Sequence, residues 1–455
     1  MGYELVRQIE MRFRDVPRIV YAAQVAKGRI VKCDKCEGAR RNCKGECLMK
    51  VIYGVCCGLD VHKKVITASL MSRTGDTVIK TFNTTTNELK AMVEWLKVTD
   101  CEQVAMESTG VYWKPVYNIL ELAGIPAMVV NASHMKAIPG RKTDIKDAEW
   151  IADLLRHGLL RGSFIPEKNQ REYRELVRYR NSRTEERARE INRLQKMLEG
   201  MNIKLGDFVS DIMGKSASKM LGLVLAHDEL TDEQISQASH GGLKASLDEL
   251  KEALIGIITP LQRELVTIVL DVIAEQSSQI AKVEALIRKY TKEAYDEAAK
   301  KLEAMPGIGT ISAQAIIAEI GIDMSRFPTA NHLCAWAGVV PGNNESAGKR
   351  KNAKSRKGNK HLKKTLIQCA TSAVKNKNSF FHAQHQRLVV RKGSNKATTA
   401  VAHTMLIAIY HVLSGDEFKD LGADYYTKFN KEKKIKSHLK QLQKLGWTPL
   451  DAKSA

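Results

Sequence analysis

From residue 51 onward, short apolar runs alternate with turn residues. The runs 51–59, 65–71 and 77–82 predict three strands, the last two separated by the turn signal Gly75-Asp76, and their close succession predicts a meander. Residues 87–97 follow with helical spacing, then a strand over 103–106, a helix over 112–122 and a strand over 125–130. Such alternation predicts a mixed sheet with helices on its faces, an α/β domain. Ile145, Ala148, Ile151, Ala152 and Leu155 recur at helical spacing and predict a further helix over 144–155.

Beyond this domain the pattern changes. Residues 169–200 are dense in Arg and Glu, with sparse apolar positions such as Tyr173, Val177, Ile191 and Leu198, as expected of a long solvated helix or coiled-coil arm. A second helical stretch over 247–302 is predicted to bend or break near Pro260. Arms of this kind join domains or pair subunits. Met305-Pro-Gly-Ile-Gly-Thr-Ile311 and a helix over 312–320 then resemble a helix-hairpin-helix element, in which a Gly-containing turn lets backbone N–H groups approach a DNA phosphate. A tight turn between two packed helices gives the same residues. The expected organisation is an N-terminal extension (1–48), the α/β domain (49–165), a helical or coiled-coil region (166–302), a mostly α-helical C-terminal domain (303–415) and a basic tail (416–455).

Charge and cysteine usage narrow the function classes. The 72 Lys and Arg exceed the 51 Asp and Glu by 21 in 455 residues, which suits a polyanionic partner held through phosphate contacts. No run reaches the roughly 18 to 20 apolar residues of a membrane span, and the charged first residues lack a signal core, so a cytoplasmic protein without a membrane partner is expected. Nine cysteines without a secretory signal are expected to stay reduced. Cys33, Cys36, Cys43 and Cys47 form a CxxC and a CxxxC pair only six residues apart. A small zinc knot and a poorly ordered extension without metal both account for them.

Four carboxylates stand out. Asp60 is expected at the end of the first strand and Glu107 just after the fourth, while Asp144 and Asp147, three apart, share one face of the predicted helix. Taken singly, each has an ordinary reading as a turn residue, helix cap or dipole partner. Together, repelling carboxylates at strand and helix ends call for a divalent cation, and hard oxygen donors select Mg²⁺ or Mn²⁺. Two such ions would clamp the attacking and leaving oxygens of a phosphodiester. Downstream, Ser346 lies in the small, polar loop Asn343-Asn-Glu-Ser-Ala-Gly348, just before a run with nine Lys or Arg and no acid over 349–364. Lys349, Arg350, Lys351, Lys354, Arg356 and Lys357 are the candidate nucleic-acid contacts there. A loop serine is ordinarily a turn residue, and it becomes a nucleophile only with a base, cation or metal to activate it.

The segments Gly58-Leu-Asp-Val-His-Lys63, Ala105-Met-Glu-Ser-Thr-Gly110 and Lys142-Thr-Asp-Ile-Lys-Asp-Ala148 resemble the three blocks of the DEDD transposases of bacterial insertion sequences, the insertion-sequence one-ten family of bridge-RNA-guided recombinases. Pro306-Gly-Ile-Gly309, Ala337-Gly-Val-Val-Pro341 and Ser346-Ala-Gly-Lys349 are similar to that family's C-terminal transposase domain. The likeness spans residues 49–413, and Met49-Lys-Val-Ile-Tyr53 resembles an ordinary start for such a protein. It implies a RuvC-type RNase H-like first domain with Asp60, Glu107, Asp144 and Asp147 as catalytic metal ligands. It further implies that Ser346 is the nucleophile that holds DNA as a covalent phosphoserine ester. Donor and target DNA, a noncoding bridge RNA and a homo-oligomer, dimer or tetramer, are the implied partners. Carboxylates of one subunit are implied to meet the serine of another. The alternative is a RuvC-like nuclease or junction resolvase that uses metal-activated water and no covalent intermediate. A third reading, a non-catalytic nucleic-acid-binding derivative, leaves the full carboxylate set unexplained.

Overall fold

The structure is a computed structural model that describes residues 51–131, 147–240, 243–342, 344–346, 349–352, 355–429 and 431–445. The chain divides into two compact units, one ending at Ile165 and the other beginning at Pro166. Cys33, Cys36, Cys43, Cys47, Asp144 and Lys354 lie outside the described residues.

The first unit is built on β1 (Cys56–Val61), β2 (Val65–Met71), β3 (Thr77–Asn83), β4 (Gln103–Glu107) and β5 (Ala127–Val130), arranged in the order β3-β2-β1-β4-β5. The β1, β2 and β3 strands form the antiparallel meander, and β4 and β5 extend it in parallel with β1. Parallel neighbours need crossovers, here α1 (Thr86–Val98) before β4 and α2 (Trp113–Leu122) before β5. Both helices cover one face: Leu89, Met92, Val93, Leu96, Val116 and Leu120 pack on Cys57, Leu59, Val61, Val104 and Met106. On the other face α3 (Asp147–Arg156) lays Ile151, Leu154 and Leu155 on Cys56, Ala105 and Val130. Alternate residues of β1 thus serve different cores, as the period of two requires.

The first strand starts later than the apolar run at 51–59 suggests. Val51 and Ile52 are exposed, and the Ile52 amide donates to the Arg156 carbonyl at the end of α3. Hydrogen-bonded pairing begins at Cys56, where β2 and β4 both lie alongside.

Among its described residues, the second unit's regular structure is helical apart from one short hairpin. The helix α4 (Lys168–Gly200) precedes four short helices, α5 (Leu205–Phe208), α6 (Lys215–Ala226), α7 (Asp232–Ala238) and α8 (Leu247–Leu254), and the long α9 (Pro260–Tyr290). The long helices run antiparallel: Arg187 donates to Ser277 at 2.7 Å, and Leu194 and Leu198 share a core with Val266, Val269 and Ile273. The short helices fill the same core with Met220, Leu221, Ile235 and Leu250. The helical stretch over 247–302 is broken at Pro260, as expected, and again near Thr291, giving α8, α9 and α10 (Glu293–Glu303). Pro260 opens α9, where its missing N–H costs nothing, behind a Thr259/Gln262 capping box.

The remainder comprises α11 (Thr310–Ile320), α12 (Ala330–Ala337), β6 (Asn344–Ser346), β7 (Lys349–Asn352), α13 (Lys360–Lys375), α14 (Phe380–Lys392), α15 (Ser394–Leu413), α16 (Tyr425–Phe429) and α17 (Lys431–Lys444). The helix α15 runs through this part, burying Val401, Ala402, Met405, Leu406 and Ile409. Among the described residues no helix is long and apolar enough to cross a membrane.

Candidate functional site

The parallel register of β1 and β4 decides where two of the carboxylates go. Gly58 pairs with Ala105 and Leu59 with Met106, so Asp60 and Glu107 are the next residues on neighbouring strands. Leu59 and Met106 are fully buried in the α1–α2 core, and the alternation turns Asp60 and Glu107 to the opposite face, that of α3. Both occupy the C-terminal ends of their strands. The chain leaves β1 toward β2 on one side and β4 toward β5 on the other, a switch point of the kind where open α/β sheets bind ligands.

The direction of α3 brings Asp147 to the same end. Arg156 binds the Ile52 amide, and the Cys56 thiol donates to the Ala152 carbonyl at 3.6 Å. A Cβ on Gly58 would lie 2.2 Å from the Ala148 carbonyl oxygen and 2.5 Å from the Ala152 amide. The helix therefore runs antiparallel to β1, with its backbone resting on Gly58 and its first turn, which opens at Asp147, beside Asp60. Only glycine permits that approach.

Asp60 accepts a hydrogen bond from His62 Nε2 at 3.1 Å, the carboxylate being 20% exposed and the imidazole 65%. Glu107 and Asp147, both half-buried, enter no ion pair among the described residues. Half-buried carboxylates without cationic partners suit a hard cation, and all three donors are oxygens. Among the described residues no group of three or more acidic, His or Cys side chains stands at metal-holding distance.

Ser346 does not lie in a loop. It ends β6, opposite Lys349 of β7 in an antiparallel hairpin with an irregularity at Asn344/Glu345. Its stem is tightly built. The Pro341–Ser355 bridge closes it, and the Arg356 amide donates to Val340 at 3.2 Å. Gly338, at φ +75°, ends α12 against Gly358, where a Cβ would meet the Gly338 amide at 2.4 Å. Of the candidate nucleic-acid contacts, Lys349, Arg350 and Lys351 belong to β7, and Arg356 and Lys357 are exposed after it.

The turn Met305–Gly309 joins α10 to α11. Gly307, at φ +84°, packs on α13, where a Cβ would lie 2.4 Å from the Cys369 carbonyl oxygen. Gly309 at the α11 N-cap faces open space, and Ile311 beyond it is exposed.

One charged cluster escapes sequence reading. Glu319, 3% exposed on α11, accepts from Arg178 of α4 through Nε at 2.6 Å and Nη2 at 2.7 Å, and from Asn359 Nδ2 at 2.6 Å. Burial alone would raise its carboxyl. The Arg178 hydrogen bonds, the charges of Arg178 and Arg174 and the Asn359 amide outweigh burial and hold it below the ordinary carboxylate value. Arg174 is lowered to about 10 by its burial, against the opposing pull of Glu319. A lone acid amid Ile316, Ile317, Ala318 and Ile320 is the sequence signal, but its partner Arg178 is 141 residues away and Asn359 is 40.

The mixed sheet with flanking helices is compatible with an α/β nuclease-like domain, and comparisons with known proteins give the class, a DNA-processing transposase, and the family. The DEDD transposase model of the IS110 family matches residues 57–203, and the "Transposase IS116/IS110/IS902 family" model matches residues 299–386. The chain is 24% identical over 377 residues to the "Transposase for insertion sequence element IS1111A" of Coxiella burnetii, covering 80% of this chain and 91% of that protein. It is 25% identical over 319 residues to a "Probable family 20 transposase" of Pseudomonas aeruginosa, covering 68% and 83%. The chain belongs to the IS110 family of DEDD transposases.

Proposed function

We propose that this transposase cuts and rejoins DNA through a covalent bond to Ser346, assisted by a Mg²⁺ or Mn²⁺ site made by Asp60, Glu107, Asp144 and Asp147 in a RuvC-type RNase H-like domain. The placement of Asp60 and Glu107 at adjacent strand ends under the first turn of α3 carries this reading. A meander extended by two parallel strands, with helices on both faces, supports the RNase H-like assignment. A bound divalent ion would supply Lewis-acid polarisation of the phosphate.

The remaining steps belong to side chains of the chain. The Ser346 hydroxyl oxygen bonds to phosphorus as one phosphate–sugar oxygen bond breaks. The hydroxyl loses its proton, and the departing sugar oxygen gains one. Joining reverses these changes with the end of another strand. One ester replaces another, so no energy-rich cofactor is needed. Lys349, Arg350 and Lys351, with Lys354, Arg356 and Lys357, offset phosphate charge and position the strand without reading its sequence. That reading is left to a bridge RNA, which pairs with donor and target DNA. The long α4–α9 pair suits subunit pairing in a dimer or tetramer, or RNA docking.

The test is a denaturing gel of the protein with element-end DNA, RNA transcribed from the element's flank and Mg²⁺. A protein–DNA adduct is expected, and it should be absent from Ser346→Ala and from chelated samples. Cleavage without an adduct would replace this reading with a metal-dependent nuclease or junction resolvase acting through water.

A further inference from the structure

Glu319 sits where three parts of the second unit meet. Besides its bonds to Arg178 and Asn359, it lies 3.6 Å from Arg174 Nε, and Arg174 also donates to the Ala318 carbonyl at 2.9 Å and the Glu319 carbonyl at 2.6 Å. Asn359 serves two purposes at once. Its Nδ2 binds Glu319, while its Oδ1 accepts from the His361 amide at 3.0 Å and the Leu362 amide at 3.1 Å and so caps α13. Its backbone amide donates to the Trp336 carbonyl at the end of α12. Immediately before it come Gly358, wedged on Gly338, and Arg356 and Ser355, which close the stem of the β6–β7 hairpin. Both strands of the hairpin leave the helical layer beside this point.

Stability alone is a poor reason for burying such a cluster, because apolar residues of similar volume commonly serve as well or better. What the cluster adds is direction: a bidentate guanidinium and a planar amide fix one carboxylate in a single orientation.

We propose that Glu319 is a positioning residue for strand joining, fixing through Asn359 and Arg178 the stem of the β6–β7 hairpin and with it the place of Ser346. The functional half of this inference rests on the reading of Ser346 as the nucleophile. The structural half does not.

The test uses the full chain and Asn359→Asp. Aspartate keeps the oxygen that caps α13 but sets a second carboxylate against Glu319. Without DNA, the amides of Glu345, Ser346, Arg350 and Arg356 are expected to exchange hydrogen roughly tenfold faster, the size typical of coupling within a buried network. Amides of α11 and α13 should keep their protection. With element-end DNA at saturation, adduct formation should slow by a similar factor while DNA affinity is kept. Combining Glu319→Gln with Asn359→Asp exchanges carboxylate and amide across one contact, and it should restore the hairpin's slow exchange. Unchanged hairpin exchange in Asn359→Asp overturns the proposal, as does faster exchange spread evenly through α11 and α13, the mark of plain destabilisation. Local loosening and its restoration, in a chain that forms no adduct even unaltered, support the lock and count against the serine reading alone.

Discussion

Asp60 and Glu107 stand on strands whose neighbouring residues, Leu59, Val61 and Met106, are fully buried, whereas Ser346 stands on a three-residue strand whose stem is held by glycine crossings and a buried charge cluster. In the first case the hydrophobic effect sets the register, because a slip by one residue would turn every core side chain of β1 to the wrong face. In the second, directional hydrogen bonds do the holding. The carboxylates are thus placed by a core that does not depend on them. The serine is placed by polar contacts that can be disconnected one at a time.

The largest effect should come from removing a carboxylate without disturbing its support. Asp60→Asn is expected to reduce DNA cleavage by about 10³-fold or more, since metal polarisation of a phosphate contributes several kcal/mol. The melting temperature should stay unchanged or rise, because a like charge leaves the cluster. Cleavage rates together with thermal unfolding check this, and a drop in both would mean that Asp60 supports the fold.

Next in size is the support itself. Gly58→Ala puts a methyl group where the Ala148 carbonyl oxygen is 2.2 Å away, so α3 must shift and take Asp147 with it. Overpacking of this kind costs about 1–3 kcal/mol. Urea unfolding and cleavage should both suffer. A variant with normal stability and normal cleavage would show that α3 does not rest on β1 in solution.

This contrast also explains what the sequence reveals. The apolar runs mark β2 at Val65–Met71 and β3 at Thr77–Asn83 almost to the residue, because turn residues bound both strands, although β2 has a buried side and β3 buries only Phe82. They overextend β1, since Val51 and Ile52 are apolar without having a strand to pair with. Asn344-Glu-Ser346 has the composition of a turn and is nevertheless paired, because strand formation there depends on the partner β7 and the glycine stem more than on intrinsic preference. Local signals were available for the helical arm. Thr231/Gln234, Ser246/Glu249 and Thr259/Gln262 are capping boxes that mark three helix starts, the last of them at the bend or break that Pro260 suggested within 247–302. The Glu319 cluster is legible only as an acid in an apolar helix. Its meaning comes from Arg178 and Asn359, which the fold brings together from distant segments.

The smallest effect separates the two modes of support by pH. Glu319 is held below its ordinary value of 4.5, first by the Arg178 hydrogen bonds, against the opposing effect of burial. A carboxyl lowered on folding contributes stability that is complete above its unfolded value and is lost as pH falls through the folded one. Acidification below about 4.5 should therefore loosen the second unit through this group. In Glu319→Gln the same region starts less stable, because Arg174 and Arg178 lose their carboxylate, but its stability should fall less steeply with acid. Urea midpoints by far-UV circular dichroism, which follows the helices, would measure the two slopes across that range. Parallel acid limbs in the unaltered chain and the variant would mean that the Glu319 carboxyl is not held low in solution. The polar lock would then be looser than its geometry, and the hairpin that carries Ser346 would have to draw its order from elsewhere.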